Sequence, residues 1–160
     1  ITFLMKLLNQ FLDKTILKIK NENIKIRFIG DLSIFSEKIQ EKLDFVINKT
    51  SINTGATVNL ALNYGGRSDI IYAVNKILTS KTNIENFKES DFKKFTLNYD
   101  IPYPDLLIRT GGEMRLSNFL LWDLAYTELI FIDKMWPEFD KKILDNCILT
   151  YSKRVRNYGV

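Results

Sequence analysis

Residues 105–118 read Asp-Leu-Leu-Ile-Arg-Thr-Gly-Gly-Glu-Met-Arg-Leu-Ser-Asn, an apolar run followed by a polar turn with two adjacent glycines. The apolar run is typical of a buried parallel strand. The turn carries Arg109, Arg115 and Ser117, and it comes directly before residues that we predict to be helical. Guanidinium groups bind phosphate oxygens in pairs, glycine lets main-chain N–H groups approach an anion, and a helix amino end adds partial positive charge. The sequence therefore predicts a phosphate or diphosphate site at the end of this strand.

Strand and helix patterns alternate on both sides of this motif. The predicted strands have apolar residues at every second position or in short unbroken runs, and the predicted helices have them at helical spacing. The predicted strands are 24–29, 56–64, 106–109 and 128–132, and the predicted helices are 3–19, 36–47, 65–78, 91–97, 118–126 and 143–151. This alternation indicates an α/β fold with a largely parallel central sheet flanked by helices. Because 46% of the 160 residues are hydrophobic, we expect a single domain over residues 1–160.

Composition narrows the possible chemistry, because the chain has no histidine and a single cysteine, Cys147. Nucleophile systems that depend on histidine, histidine metal ligands, internal disulfides and CxxC zinc sites are therefore excluded. Cys147 lies on the apolar face of the last predicted helix, so we expect it in the core of a protein from a reducing compartment. The remaining groups are carboxylates, arginines, lysines and hydroxyls, and carboxylates next to a phosphate indicate Mg²⁺ as the cofactor.

The formal net charge of +4 mildly favours anionic partners. A nucleic-acid module would need a basic stripe with exposed aromatic residues between the charges. Here the aromatic residues lie mainly in apolar runs and the lysines are scattered, so we expect no nucleic-acid partner. No apolar run is long enough to span a bilayer. Since the chain starts at Ile1 inside a predicted helix, we expect further residues upstream in the native protein.

Arg109 is the strongest candidate for ligand binding, because an arginine at the end of an apolar strand needs a compensating anion. The alternative is a structural salt bridge to Glu113 or Asp105. The presence of Arg115 and Ser117 on the same loop favours phosphate binding. A second Gly-Gly pair, residues 65–66, follows the predicted strand 56–64, and we interpret it as a tight turn.

Glu128 is the second candidate, at the start of a predicted strand within Leu124-Ala125-Tyr126-Thr127-Glu128-Leu129-Ile130-Phe131. A carboxylate in this apolar setting should be partly buried and must find a partner. Glu128 is either a Mg²⁺ ligand that faces the phosphate site or a surface glutamate at a strand start, and the residues alone leave both possibilities open.

Four segments of the chain resemble the cis-prenyltransferase family, most closely its bacterial branch of undecaprenyl diphosphate synthases. The segments are Leu62-Asn63-Tyr64-Gly65-Gly66-Arg67, Pro104-Asp105-Leu106-Leu107-Ile108-Arg109-Thr110-Gly111-Gly112-Glu113, Arg115-Leu116-Ser117-Asn118-Phe119-Leu120-Leu121-Trp122 and Trp136-Pro137. They follow the order of the family, and the resemblance runs from Ile1 to the carboxyl end. The stretch from Arg-Thr-Gly-Gly-Glu to Leu-Trp is the most specific.

The resemblance implies a homodimeric, Mg²⁺-dependent α/β enzyme that condenses isopentenyl diphosphate with farnesyl diphosphate, an allylic primer. The product would be a long polyprenyl (undecaprenyl) diphosphate, a lipid carrier for cell-wall glycans, and it would grow in a hydrophobic tunnel between sheet and helices. By the same resemblance Arg109, Arg115, the main-chain amide of Leu116 and Ser117 hold the isopentenyl diphosphate, and Glu128 binds the metal. A cytoplasmic enzyme with transient contact to the membrane surface is implied as well.

The chain also departs from the family pattern. The N-terminal third of the family, with its Asp-Gly-Asn-Gly-Arg-Trp loop and its Ser-Glu-Asn-Trp region, has no counterpart here, so we expect no catalytic residue within this segment. Met114 stands where the family often has histidine or glutamine, and Asn157 stands where its C-terminal motif has arginine. An alternative is a non-catalytic subunit of a heteromeric prenyltransferase. Such subunits tend to lose the diphosphate-binding arginines, whereas Arg109 and Arg115 are present.

Overall fold

The computed structural model describes residues 2–18, 22–81 and 85–155. They belong to two compact units, the first ending at Tyr64 and the second beginning at Gly65. Each unit contains one pair of parallel strands together with helices, which confirms the predicted α/β class. The expectation of a single domain over 1–160 stays a prediction.

The first unit contains two helices, α1 (Thr2–Lys18) and α2 (Glu37–Thr50), and two strands, β1 (Lys25–Ile29) and β2 (Thr57–Ala61). The strands pair in parallel, with Lys25 opposite Thr57 at one end and Ile29 opposite Ala61 at the other. The core of this unit consists of Leu12, Phe28, Phe35, Ile39, Leu43 and Val46. The apolar face predicted for the second helix is therefore confirmed. The predicted end of the first helix at Ile19 lies outside the described residues.

The second unit begins with α3 (Gly66–Thr79) and α4 (Glu89–Lys93), continues with β3 (Leu106–Arg109) and β4 (Glu128–Phe131), and ends with α5 (Lys141–Ser152). The two strands are parallel, and their pairing extends by one hydrogen bond at each end. Cys147 is buried and free, as predicted for a core residue. None of the helices in the described residues is long and apolar enough to cross a bilayer.

The helix predicted at 118–126 does not form, and this stretch is a series of turns. Ser117, Asn118 and Leu120 have positive φ angles of 47°, 65° and 44°. This left-handed backbone cannot continue as a right-handed helix. The prediction was wrong because the apolar spacing of 119–124 resembles that of a helix, while the backbone direction is set by contacts with residues far away in sequence.

Two further elements are shorter than predicted. The strand predicted at 56–64 is limited to β2, and the helix predicted at 91–97 is α4 followed by turns. The turns after α4 place Asn98 next to a buried ion pair between Lys93 and Asp123. Lys93 is 8% exposed and Asp123 is 4% exposed. This pair was not predicted, because nothing local links residues that lie 30 positions apart.

Candidate diphosphate-binding site

A cavity of about 320 Å³ lies at the carboxyl end of β3. It is lined by Leu107, Ile108, Arg109, Thr110, Arg115, Leu116 and Phe119. Pockets for small ligands start at roughly this volume, about 300 Å³. The structure thus brings together three of the four predicted substrate-binding residues, and the fourth, Ser117, contacts one of them.

Arg109 is partly buried, and it holds the loop that follows it in the chain. Its Nη1 donates to the main-chain oxygen of Arg115 and to Ser117 Oγ at 3.0 Å. It forms no ion pair with any residue that the structure describes, so the alternative salt bridge to Glu113 or Asp105 is absent from the described part of the chain. Because Nη1 carries two of the five N–H donors of a guanidinium, the three on Nε and Nη2 remain for a ligand.

The loop of residues 115–117 presents further donors. Its main-chain N–H groups donate to no residue within the described ranges. The Arg115 side chain forms an ion pair with Glu113, and both are largely exposed. Such an exposed pair contributes little to stability, so an anion can replace Glu113 at small cost. Arg109, Arg115 and the amides of 115–117 therefore form a set of donors with a net positive charge.

Gly111 and Gly112 have a different role from the one expected. Their φ angles are +90° and +73°, which glycine adopts without strain. However, the N–H of Gly111 donates to the oxygen of Lys134 at 2.9 Å, and that of Gly112 donates to the oxygen of Ile132 at 3.0 Å. The chain beyond β4 thus uses both amides, and the expectation that they approach the phosphate was wrong. The glycines shape the turn, and the donors come from residues 115–117.

Glu128 lies at the amino start of β4, opposite Leu106. Arg109 is three residues further along β3, which corresponds to about 10 Å along the strand. Glu128 is partly buried, and its Oε2 accepts a hydrogen bond from Arg154 Nη1 at 2.6 Å. The expectation of a partly buried, partnered carboxylate is therefore confirmed.

A metal centre is not complete within the described residues. No group of three or more Asp, Glu, His or Cys side chains there could hold a metal ion. Glu128 is a single carboxylate already paired with Arg154, so the residues present do not by themselves fit Mg²⁺. The magnesium role of Glu128 stays a prediction. The tail from residue 156 onward, including Asn157, lies outside the described residues.

Asn118 and Gly66 form a contact that was not predicted. The N–H of Gly66 donates to the Asn118 main-chain oxygen at 2.6 Å, and the N–H of Arg67 donates to Asn118 Oδ1 at 2.9 Å. A Cβ atom on Gly66 would lie 2.8 Å from Leu121 Cγ and 2.9 Å from Leu121 N. The start of α3 and the stretch 118–121 therefore approach so closely that only glycine fits at position 66. This packing requirement adds to the tight turn that we expected at 65–66. The one local signal was Asn118 itself, since asparagine adopts positive φ more readily than most residues.

The family follows from comparison with known proteins. The sequence profile described as "Putative undecaprenyl diphosphate synthase" matches residues 1–159. The chain belongs to this family of prenyltransferases. The resemblance noted in the sequence is thereby confirmed.

Curated relatives of this chain include the "Isoprenyl transferase" of Oceanobacillus iheyensis, which is 40% identical over 99% of this chain and 65% of its own length. The (2E,6E)-farnesyl-diphosphate-specific ditrans,polycis-undecaprenyl-diphosphate synthase of Haemophilus influenzae is 42% identical over 99% of this chain and 68% of its own length. The chain thus spans about two thirds of the length of these relatives.

Solved structures of the family are similar to this chain as well. Lavandulyl diphosphate synthase from Lavandula x intermedia, solved with dimethylallyl diphosphate, has a TM-score of 0.93 and 32% identity over 99% of this chain and 71% of its own. A probable undecaprenyl diphosphate synthase from Campylobacter jejuni has a TM-score of 0.89 and 34% identity, covering 99% of this chain and 74% of its own.

The close approach at Gly66 gives a first prediction for this protein. In Gly66→Ala the added methyl group overlaps Leu121, so we expect the free energy of unfolding to fall by about 1–3 kcal/mol, as in other overpacked sites. Thermal or urea denaturation measures the effect. Ser68→Ala, at an exposed position of the same helical turn, is the control and should change stability by about 0.5 kcal/mol or less. Equal stability of both variants would contradict the contact.

Proposed function

We propose that the protein is a cis-prenyltransferase that binds isopentenyl diphosphate at the carboxyl end of β3 and adds it to an allylic diphosphate such as farnesyl diphosphate. The observation that carries this proposal is Arg109, a partly buried arginine with no carboxylate partner among the described residues and with three N–H donors left for a ligand. Its neighbours are Ser117 and a run of amides that donate to no residue in the described part of the chain. A diphosphate satisfies all of these donors together.

Arg109 and Ser117 orient the diphosphate, while Arg115 exchanges Glu113 for a ligand oxygen and the Leu116 amide donates to another. Isopentenyl diphosphate held in this way presents its alkene to the allylic partner. Loss of the allylic diphosphate leaves a carbocation-like centre, and the alkene attacks it to form the new carbon–carbon bond. A proton then leaves to give the new double bond in the Z configuration, and repetition produces a long polyprenyl (undecaprenyl) diphosphate.

The cofactor, the assembly, the location and the use of the product are proposed from membership of the family. We propose Mg²⁺ as the cofactor, a homodimer as the assembly, a cytoplasmic location with transient membrane contact, and a product that serves as a glycan lipid carrier. Glu128 is the proposed metal ligand within this chain. Because the described residues do not complete a metal centre, the other ligands would come from the diphosphate, from water or from residues outside those described.

The test of this function uses the full-length gene product with farnesyl diphosphate, labelled isopentenyl diphosphate and Mg²⁺. We expect label in a long apolar product, and no product after EDTA treatment. A folded full-length protein that incorporates no label would instead support the non-catalytic subunit of a heteromeric prenyltransferase.

Ser117→Ala gives a sharper test in the same assay. It removes the hydroxyl that accepts a hydrogen bond from Arg109, and bonds to charged groups contribute about 1.5–3 kcal/mol. We therefore expect KM for isopentenyl diphosphate to rise roughly 10-fold, with a smaller change in kcat. Ser152→Ala, at an exposed position of α5, is the matched control and should leave both constants unchanged. An unchanged KM in Ser117→Ala would argue against this site.

A further inference from the structure

We propose that Asn118 is a positioning residue, which holds the diphosphate-binding loop in place by capping helix α3 from a distance. The inference rests on the proposed function, since the loop matters only if it binds the substrate. It concerns a residue that contributes no donor to the ligand in our assignment.

Hydrogen bonding at the amino end of α3 is the first observation. The first N–H groups of a helix have no partner within the helix, and a side chain just before it usually accepts one of them. In α3 that position is Gly65, which has no side chain. Asn118 supplies both acceptors from more than 50 positions away, its main-chain oxygen for Gly66 and its Oδ1 for Arg67.

The backbone of the loop is the second observation. Ser117 and Asn118 have consecutive positive φ angles of 47° and 65°, a conformation that non-glycine residues adopt only when their surroundings hold them there. Arg109 holds the loop from one side through Ser117 Oγ and the Arg115 oxygen. The helix end holds it from the other side through Asn118. Between these two anchors lie the amides of residues 115–117, which are available to a ligand.

The glycines before α3 fit the same role. A Cβ atom on Gly65 would lie 2.8 Å from Asn118 Nδ2, so a side chain there would displace the carboxamide. Asn118 accepts hydrogen bonds from two N–H groups at the amino end of α3, so these two groups are not available to a ligand. The donors for the diphosphate therefore come from the loop, and the helix end fixes the position of that loop.

The test is the change Asn118→Gly in the full-length protein. Glycine keeps the positive φ and removes Oδ1, so the backbone stays unstrained while the bond from Arg67 is lost. We expect hydrogen exchange at the Arg67 amide to become about 3–10-fold faster, which is the change that the loss of one capping hydrogen bond would produce. We expect KM for isopentenyl diphosphate to rise about 5–10-fold, with kcat within about twofold of the wild type.

Two other variants separate positioning from general destabilisation. Asn118→Asp keeps an oxygen for the Arg67 N–H and should restore the slow exchange at Arg67. Asn146→Gly, at an exposed position of α5, makes the same substitution away from the site and should leave KM unchanged. If Asn118→Gly does not fold, Arg67→Pro removes the donor instead, in the first turn of α3, where proline breaks no hydrogen bond within the helix, and should raise KM to the same extent.

Binding of inorganic diphosphate, measured by calorimetry, distinguishes this inference from the proposed function. If the wild type makes no product but binds diphosphate, and Asn118→Gly weakens that binding about 5–10-fold, the proposed function fails and the role of Asn118 stands. A normal KM and normal diphosphate affinity in Asn118→Gly would overturn the inference. A raised KM with unchanged exchange at Arg67 would overturn it as well.

Discussion

Arg109→Ala is expected to lower kcat/KM for isopentenyl diphosphate by roughly 10²–10³-fold, because it removes more than one charge-assisted hydrogen bond to the ligand, each contributing about 1.5–3 kcal/mol. The change removes the three N–H donors that remain for a ligand and also the two bonds that hold Ser117 and the Arg115 carbonyl. The measurement is steady-state incorporation of labelled isopentenyl diphosphate by the full-length protein, alongside its thermal stability.

The controls for Arg109 separate charge from geometry. Lys141 lies on α5 with a highly exposed side chain, so Lys141→Ala removes one positive charge away from the site and should leave kcat/KM unchanged. Arg109→Lys keeps the charge but cannot hold the loop and the ligand together, since lysine has a single ammonium group. We expect it to recover only a small part of the loss. Activity of Arg109→Ala within about threefold of the wild type would contradict the proposed site.

Asp123→Ala is expected to lower the free energy of unfolding by about 3–5 kcal/mol, because it leaves the ammonium of Lys93 buried without its counter-ion. Asn98 loses its acceptor at the same time, since its Nδ2 donates to Asp123 Oδ2 at 3.3 Å. For a chain of this size the melting temperature should fall by on the order of 10 °C. Chemical and thermal denaturation measure both quantities.

The matched control is Asp145→Ala, which breaks the exposed pair between Lys141 and Asp145 and should cost about 0.5 kcal/mol or less. Replacing both partners, as in Lys93→Met with Asp123→Leu, removes the uncompensated charge, and we expect it to recover most of the stability. A loss below about 1 kcal/mol in Asp123→Ala would show that Lys93 finds water or another acceptor.

Elements with a strong local signal could be predicted from the sequence. The apolar face of α2 follows the spacing of Ile39, Leu43 and Val46, and the short apolar run of β3 lies between turn residues. Burial of Cys147 follows from the same helical periodicity in α5. These features depend on residues within one or two helical turns of each other, so a short stretch of sequence is enough to predict them.

The candidate site was predictable in part. An arginine directly after an apolar strand requires an anion, and this requirement is enough to single out Arg109 from the sequence. The partners of Gly111 and Gly112 could not be predicted in the same way. Their amides bind carbonyl groups of residues that follow β4, and local patterns do not show which carbonyl lies near a given turn.

Local sequence was enough to predict the alternation of strands and helices, the candidate anion-binding residues around Arg109 and membership of the prenyltransferase family, because each of these depends on residues that are neighbours along the chain. The turns at 118–126, the cap that Asn118 places on α3 and the burial of Lys93 with Asp123 depend instead on tertiary contacts. The cap and the buried pair join residues 51 and 30 positions apart. These two interactions outweigh the local preference for helix. An unsatisfied amide or an unpaired buried charge destabilises the folded state by more free energy than a few residues in helical conformation contribute.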